Sequence, residues 1–362
     1  MITETLYKNA LKPVLFKFDP ETVHNRFSDF GKLLGCNGMT RMAVRGMFYY
    51  SHNSLQTTVA GIKFENPVGL AAGFDKNAKL YNILPEIGFG FAELGSITGE
   101  PCKGNPRPRL FRFPKDKSIL VNYGLYNQGC EVLSKKLQNL KFQIPIGISV
   151  AKTNTPNIKT TAEGIADYRK AYHYMHPIGA YTTINVSCPN TADGQTFGHP
   201  ENLAPLLSVI DKEAHTKPIF LKIKPDMNES QMGEIIKIIE KYDWLTGVIM
   251  GNLTLNRLGL NTPKEEIDNR SLKGGLSGLP TQKKSNDLIK YIHKNSDKVI
   301  IGCGGIFDGK DAYEKLKCGA SLIQMITGLI YEGPTVISKI NRELVDLMQK
   351  NGVSNVSEIK NS

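Results

Sequence analysis

Apolar, β-branched runs alternate with helical segments along the chain from Thr57 onward. Such runs, bounded by glycine and proline, are typical of buried parallel strands joined by crossover helices. The strands are predicted at residues 68–72, 91–97, 144–150, 182–187, 219–223, 247–251, 298–303 and 321–326. No G-x-G-x-x-G follows an early strand, which disfavours a dinucleotide-binding sheet. The pattern therefore predicts an α/β fold, a (β/α)8 TIM barrel, with long loops at 99–128 and 253–278 over its C-terminal mouth.

A different pattern precedes the barrel, because apolar residues recur there at helical spacing. Asp19 and Pro20 are a helix-start signal, which divides this region into two short amphipathic helices. The apolar faces contain Tyr7, Leu11, Val14, Leu15 and Phe18 in the first helix, and Val23, Phe27, Phe30, Leu33 and Leu34 in the second. We expect a helical appendage at 1–50, a barrel at 51–350 and a tail at 351–362. The helices either pack on the barrel as a lid or present their apolar faces to a membrane or a lipophilic ligand.

Composition narrows the range of partners. The formal net charge of +11 favours anionic ligands or surfaces. Lysine and arginine are scattered, without the basic runs of a nucleic-acid binder, so nucleic acid is not expected as a partner. The six cysteines show no C-x-x-C pair and no metal-ligand spacing, which predicts free thiols in a reducing compartment and no metal site.

Polar and small residues collect at the predicted strand ends, where a barrel carries its chemistry. Lys222 lies inside an apolar strand, and an isolated charge there indicates a buried anionic partner. Glycines follow the seventh and eighth strands, at Gly304-Gly305 and Gly328, where barrels commonly bind phosphate. The remaining strand ends contribute residues 71–76, Ser96, Ser149, Lys152, Asn185, Cys188, Asn190 and Asn252.

The fourth strand end is the most unusual stretch of the chain. A β-branched run breaks there into two amides, a hydroxyl and the thiol of Cys188 within six residues. Either Cys188 is a free core cysteine beside a Pro-Asn turn, or these groups face a ligand. The phosphate loops and buried lysines indicate a phosphorylated cofactor with a conjugated ring. Flavin mononucleotide (FMN) and pyridoxal phosphate both fit this description, the latter with Lys76 or Lys222 as its Schiff-base lysine.

Five ordered motifs resemble the dihydroorotate dehydrogenase family. They lie at residues 66–76 (NPVGLAAGFDK), 104–112 (GNPRPRLFR), 185–191 (NVSCPNT), 274–278 (GGLSG) and 302–306 (GCGGI). The N-terminal segment LFKFDPE at 15–21, running on to His24, is similar to the appendage of the membrane-associated, quinone-reducing class 2 enzymes. The resemblance implies a TIM barrel, FMN as cofactor, and two helices that admit a quinone to the flavin.

The resemblance also implies roles for individual residues. Cys188 falls where the family places the general base that takes a proton from substrate C5, while hydride leaves C6 for flavin N5. The segment 191–199 is expected to close over the site. The implied cofactor contacts are Ala72, Gly73, Phe74, Asp75, Lys76, Ser96, Ser149, Asn185, Lys222, Gly251, Gly278, Gly305, Ile326 and Thr327. The implied substrate contacts are Lys76, Asn122, Gly124, Leu125, Asn185, Asn190 and Asn252.

Three positions depart from the family pattern. Quinone-linked members carry serine where this chain has Cys188, and cysteine is typical of the soluble class 1 enzymes. The loop at 122–127 (NYGLYN) lacks one residue between its first asparagine and its glycine. The family's Thr-Asn-Thr after the sixth strand appears here as Gly251-Asn252-Leu253, which removes two hydroxyls and places an apolar side chain near the substrate ring.

The resemblance predicts FMN-dependent oxidation of dihydroorotate to orotate with transfer of the electrons to a membrane quinone, in pyrimidine (UMP) biosynthesis. The enzyme is expected to bind peripherally to the cytoplasmic side of the cell inner membrane. Two alternatives remain open at this point: a flavin enzyme of the same fold that acts on another cyclic amide or enone, and a non-redox protein of the membrane surface.

Overall fold

The computed structural model describes residues 2–187, 197–268 and 273–361 of the chain. The strands, in chain order, are β1 (Thr57–Val59), β2 (Ile62–Phe64), β3 (Val68–Leu70), β4 (Phe91–Thr98), β5 (Leu110–Phe113), β6 (Ser118–Val121), β7 (Ile146–Ala151), β8 (Tyr181–Asn185), β9 (Ile219–Ile223), β10 (Leu245–Met250), β11 (Gly275–Gly278), β12 (Val299–Cys303) and β13 (Leu322–Met325).

Helices flank these strands and also precede them. They are α1 (Ile2–Leu6), α2 (Lys12–Leu15), α3 (Pro20–Gly35), α4 (Gly38–Phe48), α5 (Cys130–Leu137), α6 (Thr161–Met175), α7 (Pro200–Ile210), α8 (Glu229–Ile239), α9 (Lys264–Asp268), α10 (Gln282–Asn295), α11 (Gly309–Lys317), α12 (Thr327–Glu332) and α13 (Val336–Lys350). A π-helical turn, Tyr7–Leu11, joins α1 to α2. Single 3₁₀ turns occupy Asn53–Leu55, Pro114–Asp116, Leu279–Thr281 and Val356–Asn361.

Eight parallel strands close into a barrel in the order β3, β4, β7, β8, β9, β10, β12 and β13, and β13 pairs with β3. These are the eight strands that the sequence predicts, so the predicted (β/α)8 fold is confirmed. The strand starts bury large apolar side chains inside the barrel, and the β1–β2 hairpin packs on them with Val59 and Phe64. A closed, filled end of this kind leaves the opposite end, at the carboxyl termini of the strands, for a ligand.

The two long segments predicted as loops contain strands. β5 and β6 lie in the segment 99–128, β11 lies in the segment 253–278, and the three form an antiparallel sheet in the order β11, β6, β5. The β6–β11 pairing joins distant segments and leaves no local signal, whereas β5 and β6 form a local hairpin. The glycine and proline residues of both segments favour loops and obscured these strands. The sheet packs beside α12 through Ile119, Phe307 and Tyr331.

The two helices predicted before the barrel correspond to the continuous segment made of α1, the π-helical turn and α2, and to α3; a further helix, α4, follows them. The Asp19 carboxylate accepts a hydrogen bond of 2.7 Å from the Thr22 backbone N–H, and Pro20 takes the first helical position of α3, as its start signal predicts. Asn37 caps the additional helix, α4, through a hydrogen bond of 2.8 Å from the Met39 N–H. The division at residues 50 and 350 stays a prediction, although Val356 and Ile359 of the tail are buried in the main core.

Two further properties concern the surroundings of the protein. Cys36, Cys102, Cys130, Cys303 and Cys318, the cysteines within the described ranges, are free thiols as predicted. Within residues 2–187, 197–268 and 273–361, no helix combines the length and the apolar character needed to span a bilayer.

Candidate active site

One cavity of about 510 Å³ joins the carboxyl ends of the barrel strands to the N-terminal helices. Its inner wall consists of strand-end residues, and its outer wall consists of apolar side chains from the helices. Among the residues predicted for the site, those on its wall are Ala72, Gly73, Phe74, Lys76, Ser96, Gly124, Leu125, Asn185, Lys222, Asn252, Gly278, Gly305, Ile326 and Thr327. The fold therefore brings together residues that lie as much as 255 positions apart (327 minus 72).

Four predicted residues of the described chain lie behind this wall. Ser149 supports it directly, because its hydroxyl oxygen is 2.8 Å from that of Ser96. Gly251 lies against the next strand, where a Cβ atom would be 2.0 Å from the Cys303 carbonyl oxygen. Close packing of the backbone, rather than ligand contact, thus explains glycine at this position.

Asp75 and Asn122 are engaged by other parts of the protein. The Asp75 carboxylate accepts hydrogen bonds from the backbone N–H groups of Lys79, at 2.8 Å, and Leu80, at 2.7 Å. The Asn122 side-chain oxygen accepts a hydrogen bond of 2.8 Å from the Asn105 amide. Cys188 and Asn190, the predicted base and one predicted substrate ligand, lie outside the described residues, and so does most of the predicted closing segment. Their roles stay predictions.

The anionic partner predicted for Lys222 is Glu93. The Lys222 ammonium nitrogen is 3.3 Å from Glu93 Oε1, and both side chains are buried. The second oxygen, Oε2, accepts hydrogen bonds from the Thr183 hydroxyl at 2.9 Å and the Gln324 amide at 3.0 Å. The Tyr181 hydroxyl also donates to Oε2, at 3.4 Å. Because these four neighbouring groups satisfy its oxygens, the carboxylate is held in place inside the barrel.

A row of hydrogen bonds fixes the polar side chains on the adjacent strand ends. The Asn185 amide donates to the Ser96 hydroxyl at 2.8 Å, and the Ser187 hydroxyl donates to the Asn185 side-chain oxygen at 2.9 Å. The Asn252 amide donates to the same Ser187 hydroxyl oxygen at 2.7 Å. Donors and acceptors already fixed in orientation are suited to a planar polar ligand, since little freedom is lost when it binds.

Lys76 is the second buried lysine of the site. Burial lowers the pKa of its ammonium group from 10.5 to about 7. The nitrogen lies 3.8 Å from the centroid of the Tyr123 ring, a cation–π contact. An ammonium group that loses its proton this easily is stabilised in its charged form by an anionic ligand. A carboxylate is the simplest ligand of this kind.

The loops after β12 and β13 form a small cradle. Gly304 and Gly305 both have positive φ, at 101° and 70°, and a Cβ atom on Gly304 would lie 2.5 Å from the Thr281 hydroxyl oxygen. The Thr327 hydroxyl donates to Ser277 at 2.8 Å where α12 begins. Exposed N–H groups of tight glycine turns and helix starts favour a phosphate group.

The helical side of the cavity is mainly apolar but carries two basic groups. His24 of α3 packs edge-on against Phe74 with ring centroids 4.7 Å apart, and burial together with the charge of Lys76 lowers its pKa to about 3. The imidazole is therefore neutral at physiological pH. Arg112 donates to the Phe18 carbonyl oxygen at 3.0 Å and anchors the end of the first helical segment.

Some of these roles were not assigned from the sequence. Glu93 carries the same signal as Lys222, a charge inside an apolar strand, and that signal could have found it, although Glu93 is not among the residues predicted above. Tyr123 and Arg112 carry no local signal, because their partners lie at distant positions in the chain. No group of three or more His, Cys, Asp or Glu side chains within the described ranges is arranged to hold a metal ion.

The fold and the cavity define a class of protein: an α/β barrel whose mouth carries buried cations and an anion cradle, and which opens through an apolar entrance. Residues 54–348 match the sequence profile described as dihydroorotate dehydrogenase. The chain belongs to the dihydroorotate dehydrogenase family.

Individual relatives agree with this assignment. The dihydroorotate dehydrogenase (quinone) of Christiangramia forsetii is 39% identical over 352 residues, which cover 94% of this chain and 99% of that one. The protein of the same name from Trichodesmium erythraeum is 35% identical, with 98% and 97% covered. The structure of DHODH from Eimeria tenella in complex with ferulenol has a TM-score of 0.79 at 27% identity, covering 94% of each chain. The predicted resemblance to the quinone-linked class is confirmed.

The Glu93–Lys222 pair gives a stability prediction. Glu93→Ala leaves the Lys222 ammonium buried without its carboxylate, a change that typically costs about 3–5 kcal/mol. We expect the midpoint of thermal unfolding, followed by circular dichroism, to fall by several degrees. The double variant Glu93→Leu/Lys222→Met should recover most of the loss, because neither charge remains. Equal midpoints for Glu93→Ala and the wild type would contradict the importance of the pair.

Proposed function

We propose that this protein oxidises dihydroorotate to orotate and passes the electrons to a quinone, as a step of pyrimidine (UMP) biosynthesis. The observation that carries the proposal is a cavity with a polar, cationic inner wall and an apolar outer wall, in a chain of this family. The relatives named above are quinone enzymes, which supports the same acceptor here.

FMN is the cofactor that fits the inner wall. Gly305 and Thr327 would hold its phosphate through backbone N–H groups, and Lys222 would lie beside the ring system with Ser96 and Asn185. When bound, the flavin supplies the two-electron redox chemistry of the reaction. The protein contributes orientation and charge: Glu93 fixes the Lys222 ammonium, and the hydrogen bonds between side chains fix the polar edge of the site.

Dihydroorotate would bind beside the flavin through its carboxylate and ring amides. Lys76 is the cation for the carboxylate, and Asn185 and Asn252 present side-chain amides to the ring. Asn190, Asn122 and the backbone at Gly124 and Leu125 remain proposed contacts on the strength of the family resemblance. The side-chain oxygen of Asn122 already accepts a hydrogen bond from Asn105. Cys188 is proposed as the base at C5 of the substrate.

The N-terminal helices would admit the quinone and contact the membrane. Leu15, Phe27 and Leu34 line the cavity, so a lipophilic molecule has an apolar path towards the strand ends. Apolar side chains are also exposed on the outside of α3 and α4, including Leu33 at 67% and Met39 at 72%. An exposed apolar surface of this kind on amphipathic helices favours a lipid interface. We infer peripheral attachment, on the cytoplasmic side of the inner membrane.

A second candidate is an FMN enzyme for another cyclic amide or enone. Two observations favour this candidate. The apolar side chain of Leu253 lines the cavity, and the Asn122 side chain is hydrogen-bonded to Asn105 and does not line the cavity. Steady-state turnover separates the two. The leading proposal requires orotate to accumulate from dihydroorotate in step with reduction of a soluble quinone analogue. No orotate above a boiled-enzyme control, with bound FMN verified by its absorbance, would favour the second candidate.

The proposed base gives a pair of matched variants. Cys188→Ala removes the proton acceptor, and we expect the rate of flavin reduction by dihydroorotate to fall at least about a hundredfold. Cys188→Ser should retain part of the activity with a higher pH optimum, since a hydroxyl is the weaker acid. Stopped-flow absorbance measures both variants. An unchanged rate of flavin reduction in Cys188→Ala would show that Cys188 is a core cysteine and not the base.

The lowered pKa of Lys76 predicts proton uptake on binding. At pH 8 the ammonium, with a pKa of about 7, is mostly neutral in the free site. The carboxylate of orotate stabilises the charged form, so binding should take up a proton and affinity should fall as the pH rises above 7. Calorimetry of orotate binding in two buffers of different ionisation enthalpy measures the uptake. Lys76→Met should abolish it, and buffer-independent heats for the wild type would refute the assignment.

A further inference from the structure

A buried ion pair connects helix α3 to the barrel beside the site. Glu21, in the first turn of α3, forms two bonds with Arg109, from Nε to Oε2 at 2.9 Å and from Nη2 to Oε1 at 2.8 Å. Both side chains are only 4% exposed. The remaining Arg109 nitrogen, Nη1, donates to the carbonyl oxygens of Lys103 and Asn105 at 3.0 Å each. A planar cation held on all sides has little freedom to move.

Arg109 in turn faces the ring of Tyr123. The centre of its guanidinium is 4.8 Å from the ring centroid, and the same ring carries the Lys76 ammonium at 3.8 Å. One aromatic ring therefore contacts a cation that is tied to α3 and a cation of the proposed substrate site. Attraction of both cations to the ring electrons restricts where each of them lies.

The backbone on either side of Tyr123 is fixed by hydrogen bonds. The Tyr123 carbonyl oxygen accepts from the Asn105 N–H at 3.0 Å, and the Asn122 N–H donates to the Arg109 carbonyl oxygen at 2.8 Å. Gly124 follows with a φ of 66°, and a Cβ atom there would lie 2.5 Å from the Asn105 side chain. The shortened loop thus places the ring by packing and backbone bonds.

The hydroxyl of Tyr123 does not contribute to this placement. It is buried and has no hydrogen-bond partner within the described part of the chain. Burial raises the pKa of the phenol well above its usual value, so the hydroxyl stays neutral. The ring alone makes the contacts with Lys76 and Arg109, and a phenylalanine would preserve them.

We propose that Tyr123 is a positioning residue for Lys76, held in place through Arg109 by Glu21, so that the docking of helix α3 sets the affinity of the site for its anionic substrate. This inference rests on the proposed function, in which Lys76 binds the dihydroorotate carboxylate. It assigns to the helical appendage a role in substrate binding in addition to its role as the entrance for the electron acceptor.

Variants of Tyr123 test whether its ring positions Lys76. In FMN-loaded protein, Tyr123→Leu should raise the KM for dihydroorotate and the Kd for orotate about tenfold, as expected for loss of a desolvated cation–π contact, and should lower kcat far less. Tyr123→Phe should restore both constants to within about twofold of the wild type, since the ring is kept. The KM for the quinone analogue should not move, and bound FMN should stay stoichiometric.

Variants of α3 test whether Glu21 acts on Tyr123 through Arg109. Glu21→Gln removes the carboxylate that holds Arg109 and should also raise the KM for dihydroorotate. Asp29→Asn is the matched control, because Asp29 of the same helix pairs with Lys79 at 2.7 Å on the surface and neither residue contacts Arg109 or the Tyr123 ring in the hydrogen bonds and ring contacts described above. We expect the control to leave this KM unchanged.

The outcomes separate the inference from the function on which it rests. Equal KM values for the wild type, Tyr123→Leu and Glu21→Gln would overturn the inference. Equal increases for Glu21→Gln and Asp29→Asn would overturn the connection through Tyr123, because general loosening of the helix would then suffice. A wild-type protein that neither binds orotate nor oxidises dihydroorotate would instead overturn the proposed function.

Discussion

The buried pair of Glu93 and Lys222 is the constraint on which the site depends. Taking a lysine into the centre of a barrel is unfavourable unless a fixed anion accompanies it, and Glu93 is fixed by Thr183 and Gln324 from two other strands. The pair can form only when the barrel is closed, because its members come from β4 and β9. The closed barrel is therefore required for the pair that fixes the Lys222 ammonium at the mouth.

The rest of the site combines two parts of the chain with different chemistry. The barrel supplies the polar wall, with Asn185 and Asn252 oriented through Ser187. The N-terminal helices supply the apolar wall. The buried Glu21–Arg109 pair joins the two parts, and it lies within contact distance of the ring that covers Lys76. An enzyme that exchanges electrons between a polar substrate and a lipophilic acceptor needs both walls around one cavity.

Much of this architecture could be predicted from local patterns. The β-branched runs located all eight barrel strands, Asp19 and Pro20 located the start of α3, and the charge inside an apolar run showed that Lys222 needs an anion. The strands β5, β6 and β11 were not predicted, because the glycines and prolines around them resemble those of loops. β5 and β6 pair locally as a hairpin, whereas β11 pairs with β6 from about 150 residues away and leaves no local signal. The partner of Lys222, 129 positions away, and the ring on Lys76 are likewise products of the folded chain.

We expect the cationic mouth to hold a flavin that dihydroorotate can reduce. The most direct measurement is the visible absorbance of the FMN-loaded protein during an anaerobic titration with dihydroorotate, followed by addition of a quinone. The substrate should bleach the flavin absorbance band, and the quinone should restore it. A flavin that stays oxidised at saturating dihydroorotate would contradict this expectation.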